Sequence, residues 1–190
     1  MKKNFFTNSM NLAKEICKIK LSRGDIVVDA TAGNGNDTVF LAELVGEDGK
    51  VYSFDVQKSA LEKTKEKLKE KNMKHFVQLI LDGHENLDKY VKEDIQLIMF
   101  NLGYLPNGAR NITTKGETTV IAVKKALQIL KENGIVILVI YHGHEEGKEE
   151  KILLKEFTSS LNQKQYNVIN LSFTNQINNP PELICIEKRL

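Results

Sequence analysis

Two glycines, Gly33 and Gly35, stand one residue apart in the turn Gly33-Asn34-Gly35-Asn36. Glycine lets the main chain take left-handed angles and lets a ligand approach it closely. A helix that starts directly behind such a turn offers free N–H groups and the positive end of its dipole to an anion. Asp55 follows roughly 20 residues later, the spacing at which a carboxylate can accept from both hydroxyls of a ribose. An NAD-dependent oxidoreductase would use the same pieces. Its third glycine would fall at position 38, where this chain has Thr38, and no second mononucleotide-binding half follows.

Further polar groups recur along the chain: Asp29, Asp82-Gly83-His84, Asn101-Leu102-Gly103-Tyr104 and Tyr141-His142-Gly143-His144. An asparagine side chain presents a donor and an acceptor side by side, and a tyrosine a ring and a hydroxyl. His142 and His144 have the spacing of a metal pair, but no cysteine or third histidine accompanies them. They read as substrate contacts or a proton acceptor. Asp82 and His84 also suit a plainer role at the start of a helix, as cap and first-turn residue. Cys17 and Cys185 lie at opposite ends without a CxxC spacing and read as reduced, buried thiols.

Alternating strand and helix patterns must position these groups. Ser9 is placed to cap a first helix with Leu12, Ile16 and Ile19 on one face. The apolar strand 26–28 ends at Asp29, and a helix from about Asp37 to Val45 follows the glycine turn. Strand 51–54 ends at Asp55, and Ser59 is placed to cap a lysine-rich helix. Strand 76–81 ends at Asp82, and strand 95–100 at Asn101. A helix from about Thr118 to Lys131 is stopped by Gly134, and strand 135–140 ends at Tyr141. After a helix at about 148–161, strands 168–173 and 183–187 have no helix between them and should pair antiparallel. This alternation specifies an α/β fold with a mostly parallel sheet and helices on both faces. Ligands bind such sheets at the carboxyl ends of the strands, where five consecutive ends carry the polar groups above.

A chain of 190 residues, 41% hydrophobic and 27% charged, is expected to form one domain over residues 1–190, with 1–20 as a helical region packed on the core. The composition excludes a disordered tail, a collagen-like fibre and a disulfide scaffold. The longest apolar run, 135–141, is far short of a membrane span. Lys14 and Glu15 interrupt the N-terminal region before a signal peptide's apolar stretch could form. A cytoplasmic location is therefore expected. A net charge of +2 is too balanced to announce nucleic acid by itself. The lysines between Lys58 and Lys74 alternate with Glu62, Glu66 and Glu70, a solvated helix face. Lys2, Lys3, Arg110 and Lys115 remain as a local basic rim.

In this order the motifs resemble a class I S-adenosylmethionine-dependent methyltransferase, with Asp29-Ala30-Thr31-Ala32-Gly33-Asn34-Gly35 as its first motif. The stretches VVDATAGNGNDTVFLAELVG, FDVQ, DGHENL, FNLGYLP, ITTKGETT, VIYHGHEEGKEEK and NPPELICIEKR resemble one small bacterial family long labelled rRNA methylase. Characterised members of that family methylate the amine of 5-aminomethyl-2-thiouridine at the tRNA wobble position. The resemblance covers residues 9 to 188. It implies a Rossmann-like sheet of about seven strands with an antiparallel last strand. It also implies S-adenosyl-L-methionine as cofactor and tRNA, at its anticodon region, as partner, with no metal and no membrane.

The resemblance further implies a site. Backbone N–H groups from Gly33 to Asn36 suit the cofactor carboxylate, with Asn34, Gly35, Asn36 and Asp37 at its amino-acid end and Asp29 in the first motif. Asp55 faces the ribose diol, Gln57 the ribose or adenine edge, and Asp82, Gly83 and His84 the adenine. The segment from Asn101 to Tyr104 resembles the Asn-Pro-Pro-Tyr motif of amine-methylating enzymes on nucleic acid, with both prolines replaced. This implies Asn101 and Tyr104 as catalytic residues, joined by His142 and His144, while Tyr104, Arg110, Lys115 and Tyr141 bind substrate. The alternatives are a methyltransferase on rRNA or another amine, an NAD-type oxidoreductase, and a non-catalytic RNA-binding module. The oligomeric state stays open, a homodimer included.

Overall fold

Runs of aliphatic and β-branched residues make the strands, and their alternation sorts side chains onto two faces. In the computed structural model, which describes residues 6–103 and 113–190, these runs are β1 (Ile26–Asp29), β2 (Lys50–Asp55), β3 (Val77–Leu81), β4 (Ile95–Leu102), β5 (Leu130–Ile140), β6 (Tyr166–Leu171) and β7 (Glu182–Lys188). They form a seven-stranded sheet in the order β3-β2-β1-β4-β5-β7-β6. Pairs from β3 to β5 are parallel, and β7 runs antiparallel between β5 and β6. The expected α/β sheet with a reversed last strand is thus present. Strand order reverses between β1 and β4, which opens a crevice at their carboxyl ends.

The helices are α1 (Ser9–Lys20), α2 (Asn36–Val45), α3 (Lys58–Glu70), α4 (Gly116–Ile129) and α5 (Glu145–Ser159). Ile98, Phe100 and Leu102 of β4 share one core with Val123 and Ala126 of α4 and Leu154 of α5. The alternate residues Leu97 and Met99 share the other core with Leu12, Ala13 and Cys17 of α1 and Leu41 of α2. Each Leu, Ile, Val, Phe or Met side chain among these contributes about 1.5–3 kcal/mol on full burial. Burial pushes both thiols, Cys17 and Cys185, up to about 12, so they pack as hydrophobes. No helix among the described residues is long and apolar enough to cross a membrane.

Several element ends differ from the sequence expectation. Asn8 caps α1, its Oδ1 accepting from the Asn11 N–H at 2.8 Å, while the buried Ser9 donates to the Pro181 carbonyl. Ile19 is 80% exposed, and Cys17 takes its place on the inward stripe. α3 begins at Lys58, not behind a Ser59 cap, because Asp55 holds the Gln57 N–H and fixes the turn. α4 ends at Ile129, before Gly134, because Leu130 already pairs with Ile95 and a register shift absorbs the residues up to Ile135.

Candidate active site

The carboxyl ends of β1 to β5 converge on a cavity of about 810 Å³, large enough for a nucleoside-sized ligand. Residues 30–34 line it after β1, 55–57 after β2, 82–85 after β3 and 101–103 at the end of β4. Tyr141, Gly143 and His144 follow from β5. Two further segments line it: residues 113–115 before α4, of which Lys115 alone was expected there, and residues 178–181 between β6 and β7, which were not.

Gly33 and Gly35 both take left-handed backbone, with φ of +52° and +77°. The Gly33 N–H donates to Asp55 Oδ2 at 2.8 Å, and the Gln57 N–H donates to Asp55 Oδ1 at 2.8 Å. Asp55 therefore clasps the first loop to the second. Burial raises its pKa, and a carboxylate so bonded keeps lone pairs for further donors. Gly35 does not line the cavity. A Cβ there would stand 2.7 Å from Thr64 Oγ1 and 2.9 Å from Thr64 Cα, so this glycine serves the contact of the loop with α3.

Asp29 is also set back from the cavity, buried where it accepts from the Thr31 N–H at 3.0 Å and the Thr38 hydroxyl at 2.6 Å. Burial, and then the charge of Asp37, push its pKa up to about 7. Thr38 also meets Ser53 Oγ at 2.8 Å. The threonine at the third-glycine position thus pins α2 to the ends of β1 and β2. Neither Asp29 nor Gly35 lines the cavity, and both hold the first loop in place.

Asn101 closes β4 at the cavity, and its Nδ2 donates to Asp37 Oδ2 at 3.1 Å. Asp37 Oδ1 lies 2.9 Å from the Lys14 ammonium of α1, a partner that sequence reasoning missed. A carboxylate only accepts, so the Asn101 NH2 must face Asp37 and Oδ1 is left as an acceptor. Tyr141, 40% exposed, stands beside Gly103. His144 lines the cavity with Nε2 3.4 Å from Thr113 Oγ1, and Lys115 lines it at the start of α4. His142 does not reach the cavity. Its Nε2 meets the Pro180 carbonyl oxygen at 3.0 Å and lies 3.8 Å from Glu182 Oε1, which makes it a brace for the β6–β7 loop. Lys2, Lys3, Tyr104 and Arg110 lie outside the described residues.

On the β3 side, Asp82 accepts from the Gly83 N–H, the Asn86 amide and the Tyr90 hydroxyl at 2.8–2.9 Å. Desolvation raises its pKa, but these bonds outweigh that and leave it below the usual carboxylate value. His84 is buried with Nδ1 3.1 Å from the Ala30 carbonyl oxygen and Nε2 3.5 Å from Thr119 Oγ1. Burial lowers its pKa, so a neutral ring builds the wall here. The buried Glu150 accepts from Thr114 at 2.7 Å and Thr119 at 2.6 Å, fastening the segment that leads into α4. Among the described residues no group of three or more His, Cys, Asp or Glu is placed to hold a metal ion.

The family model described as "Putative rRNA methylase" matches residues 51–187. The crystal structure of a "putative rRNA-methylase" from Clostridium thermocellum is 46% identical with a TM-score of 0.95, covering 99% of this chain and 100% of that one. That of a "putative methyltransferase" from Streptococcus mutans, in complex with SAH, is 43% identical with a TM-score of 0.87, covering 99% of each. The "tRNA (mnm(5)s(2)U34)-methyltransferase, chloroplastic" of Arabidopsis thaliana is 40% identical over 151 residues, 74% of this chain and 55% of that protein. The chain spans about half the length of the curated relatives it matches.

Proposed function

We propose a function from one premise: the chain belongs to the family described as "Putative rRNA methylase". It is an S-adenosylmethionine-dependent methyltransferase on RNA, one domain acting in the cytoplasm. Its substrate is the 5-aminomethyl group of 5-aminomethyl-2-thiouridine at the tRNA wobble position. One observation carries the amine chemistry: Asp37 fixes the Asn101 amide so that its carbonyl is the group left to accept. The wobble-position relative and the relative solved with SAH support the same reading.

The residues at the cavity fit the cofactor. Free N–H groups at the start of α2 suit its carboxylate, with Asn34, Asn36 and Asp37 around its amino-acid end. The clasped Asp55 retains acceptor capacity for two ribose hydroxyls, and Gln57, Asp82 and Gly83 border the space an adenine needs. When bound, the sulfonium supplies a methyl carbon already activated for in-line displacement.

The protein then has to position and desolvate the nucleophile. An alkyl amine attacks only when neutral. Asn101 Oδ1 accepts one of its protons and aims the lone pair, an orientation effect that can supply several kcal/mol of the barrier. Tyr141 offers a ring to the target base, as Tyr104 does in the resemblance. The proton released on methylation leaves to water or to His144, since His142 is engaged by Pro180. Lys115, with Lys2, Lys3 and Arg110, meets phosphates. Nucleoside mass spectrometry of tRNA lacking the modification, incubated with protein and S-adenosylmethionine, tests this. A gain of one methyl group on the wobble nucleoside is expected, and no gain there would refute the substrate.

A further inference from the structure

The β6–β7 loop brings Asn178, Asn179, Pro180 and Pro181 to the same cavity as Asn101 and Tyr141. Asn178 and Asn179 both have left-handed backbone, with φ of +66° and +50°. Asparagine is one of the few residues with a side chain that tolerates this region. Both are exposed, and neither carboxamide has a hydrogen-bond partner among the described residues. The frame that presents them is fixed. His142 meets the Pro180 carbonyl, Ser9 donates to that of Pro181, and Lys151 and Lys155 each hold Glu182 at 2.6 Å. The two prolines fix φ and bring no N–H that needs a partner.

A carboxamide presents a donor and an acceptor side by side. The Watson–Crick edge of a uracil offers the complementary pair, a carbonyl oxygen at O4 and an N–H at N3, and single-stranded bases are read on that edge. We propose that Asn178 and Asn179 read the pyrimidine edge of the target base, Nδ2 donating to O4 and Oδ1 accepting from N3–H. The inference rests on the methyltransferase reading above and adds the groups that select the base.

The test compares two anticodon stem-loops that carry the same 5-aminomethyluridine, one with N3–H and one with N3-methyl. The variant is Asn178→Gly with Asn179→Gly, because glycine keeps the left-handed backbone and deletes only the amides. In wild type, N3-methylation should lower kcat/KM by about tenfold or more. The variant should lose a similar factor on the N3–H stem-loop and show no further penalty for N3-methyl, with S-adenosylhomocysteine affinity at the wild-type value. A variant that keeps the full N3-methyl penalty, or full activity, overturns the proposal. Should glycine loosen the loop, the pair Asn178→Asp and Asn179→Asp keeps size and left-handed tolerance but cannot donate to O4, and an undiminished rate there also overturns it. A wild type that binds S-adenosylhomocysteine and methylates neither stem-loop removes the substrate reading, and this inference with it.

Discussion

Replacing Asp55 by asparagine separates two tasks of one carboxylate. Oδ2 takes the Gly33 N–H and Oδ1 the Gln57 N–H, each at 2.8 Å. Asparagine keeps the size but turns one oxygen into an NH2 that faces a backbone donor. One N–H then loses its acceptor, at a cost of about 1–3 kcal/mol. Burial raises the Asp55 pKa, so the neutral side chain recovers part of a desolvation cost, and the net loss should be about 1–2 kcal/mol. Urea unfolding of the ligand-free protein reads this as a lower midpoint at constant slope. Ribose hydroxyls donate to the same group in the proposed function. S-adenosylhomocysteine affinity should therefore fall by a further 1.5–3 kcal/mol or so, about 10- to 100-fold by calorimetry. An unchanged midpoint would refute the clasp. Normal affinity in a destabilised but folded variant would leave the clasp in place and take Asp55 out of the ligand site.

Three other perturbations follow. Gly35→Ala places a Cβ 2.7 Å from Thr64 Oγ1 at a φ of +77°, so left-handed strain and overpacking together should cost about 2–5 kcal/mol; an unshifted thermal midpoint would contradict that contact. Asp29 has a folded pKa of about 7 against 3.8 for the free group, so the folded state holds its proton longer and this residue's contribution to stability falls as pH rises from about 4 to 7. The stability of Asp29→Asn relative to wild type should accordingly improve between pH 5 and pH 8 in urea unfolding, and an equal difference at both would rule out the raised pKa. Asn101→Ala should cut kcat strongly and leave S-adenosylhomocysteine affinity nearly intact, while the wild-type single-turnover rate climbs from about pH 6 to 9 as the amine loses its proton. A flat profile with an undiminished mutant rate would mean that the nucleophile is not an amine held by Asn101.

The parallel part of the sheet was legible because its five strands are largely apolar, the longest run at 135–141, and each leads into a residue with a polar group. The reversed β7 followed from the missing helix before it. What a strand-end residue faces was less legible. Asp29 shares a face with Val27 and so points toward α2 and Thr38, although its place at a strand end resembles that of a ligand group. His142 and His144 are two residues apart, but the chain turns at Gly143 and only His144 lines the cavity. The Asn-Asn-Pro-Pro run carried a turn signal and no hint of its address. Topology supplies that address. β6 and β5 both pair antiparallel with β7, so β6 runs with the parallel strands and its carboxyl end lies beside theirs. Lys14 was hidden for a related reason, since only the packing of α1 brings it to Asp37.

The position of β7 has a consequence for the nascent chain. During synthesis β1 to β5 can pair as they emerge, but the second hydrogen-bonding edge of β5 is covered only by Glu182–Lys188. Leu183 and Cys185 of that strand also belong to the same core as Leu12, Ala13 and Cys17 of α1, so the first helix has no complete seat until the last strand is made. While α5 and β6 are being translated, the most apolar strand of the protein shows an open edge, a template for pairing with other chains. A partly made chain is therefore prone to aggregate for as long as β5 has emerged and β7 has not. Insertion of β7 covers the β5 edge and completes the seat of α1.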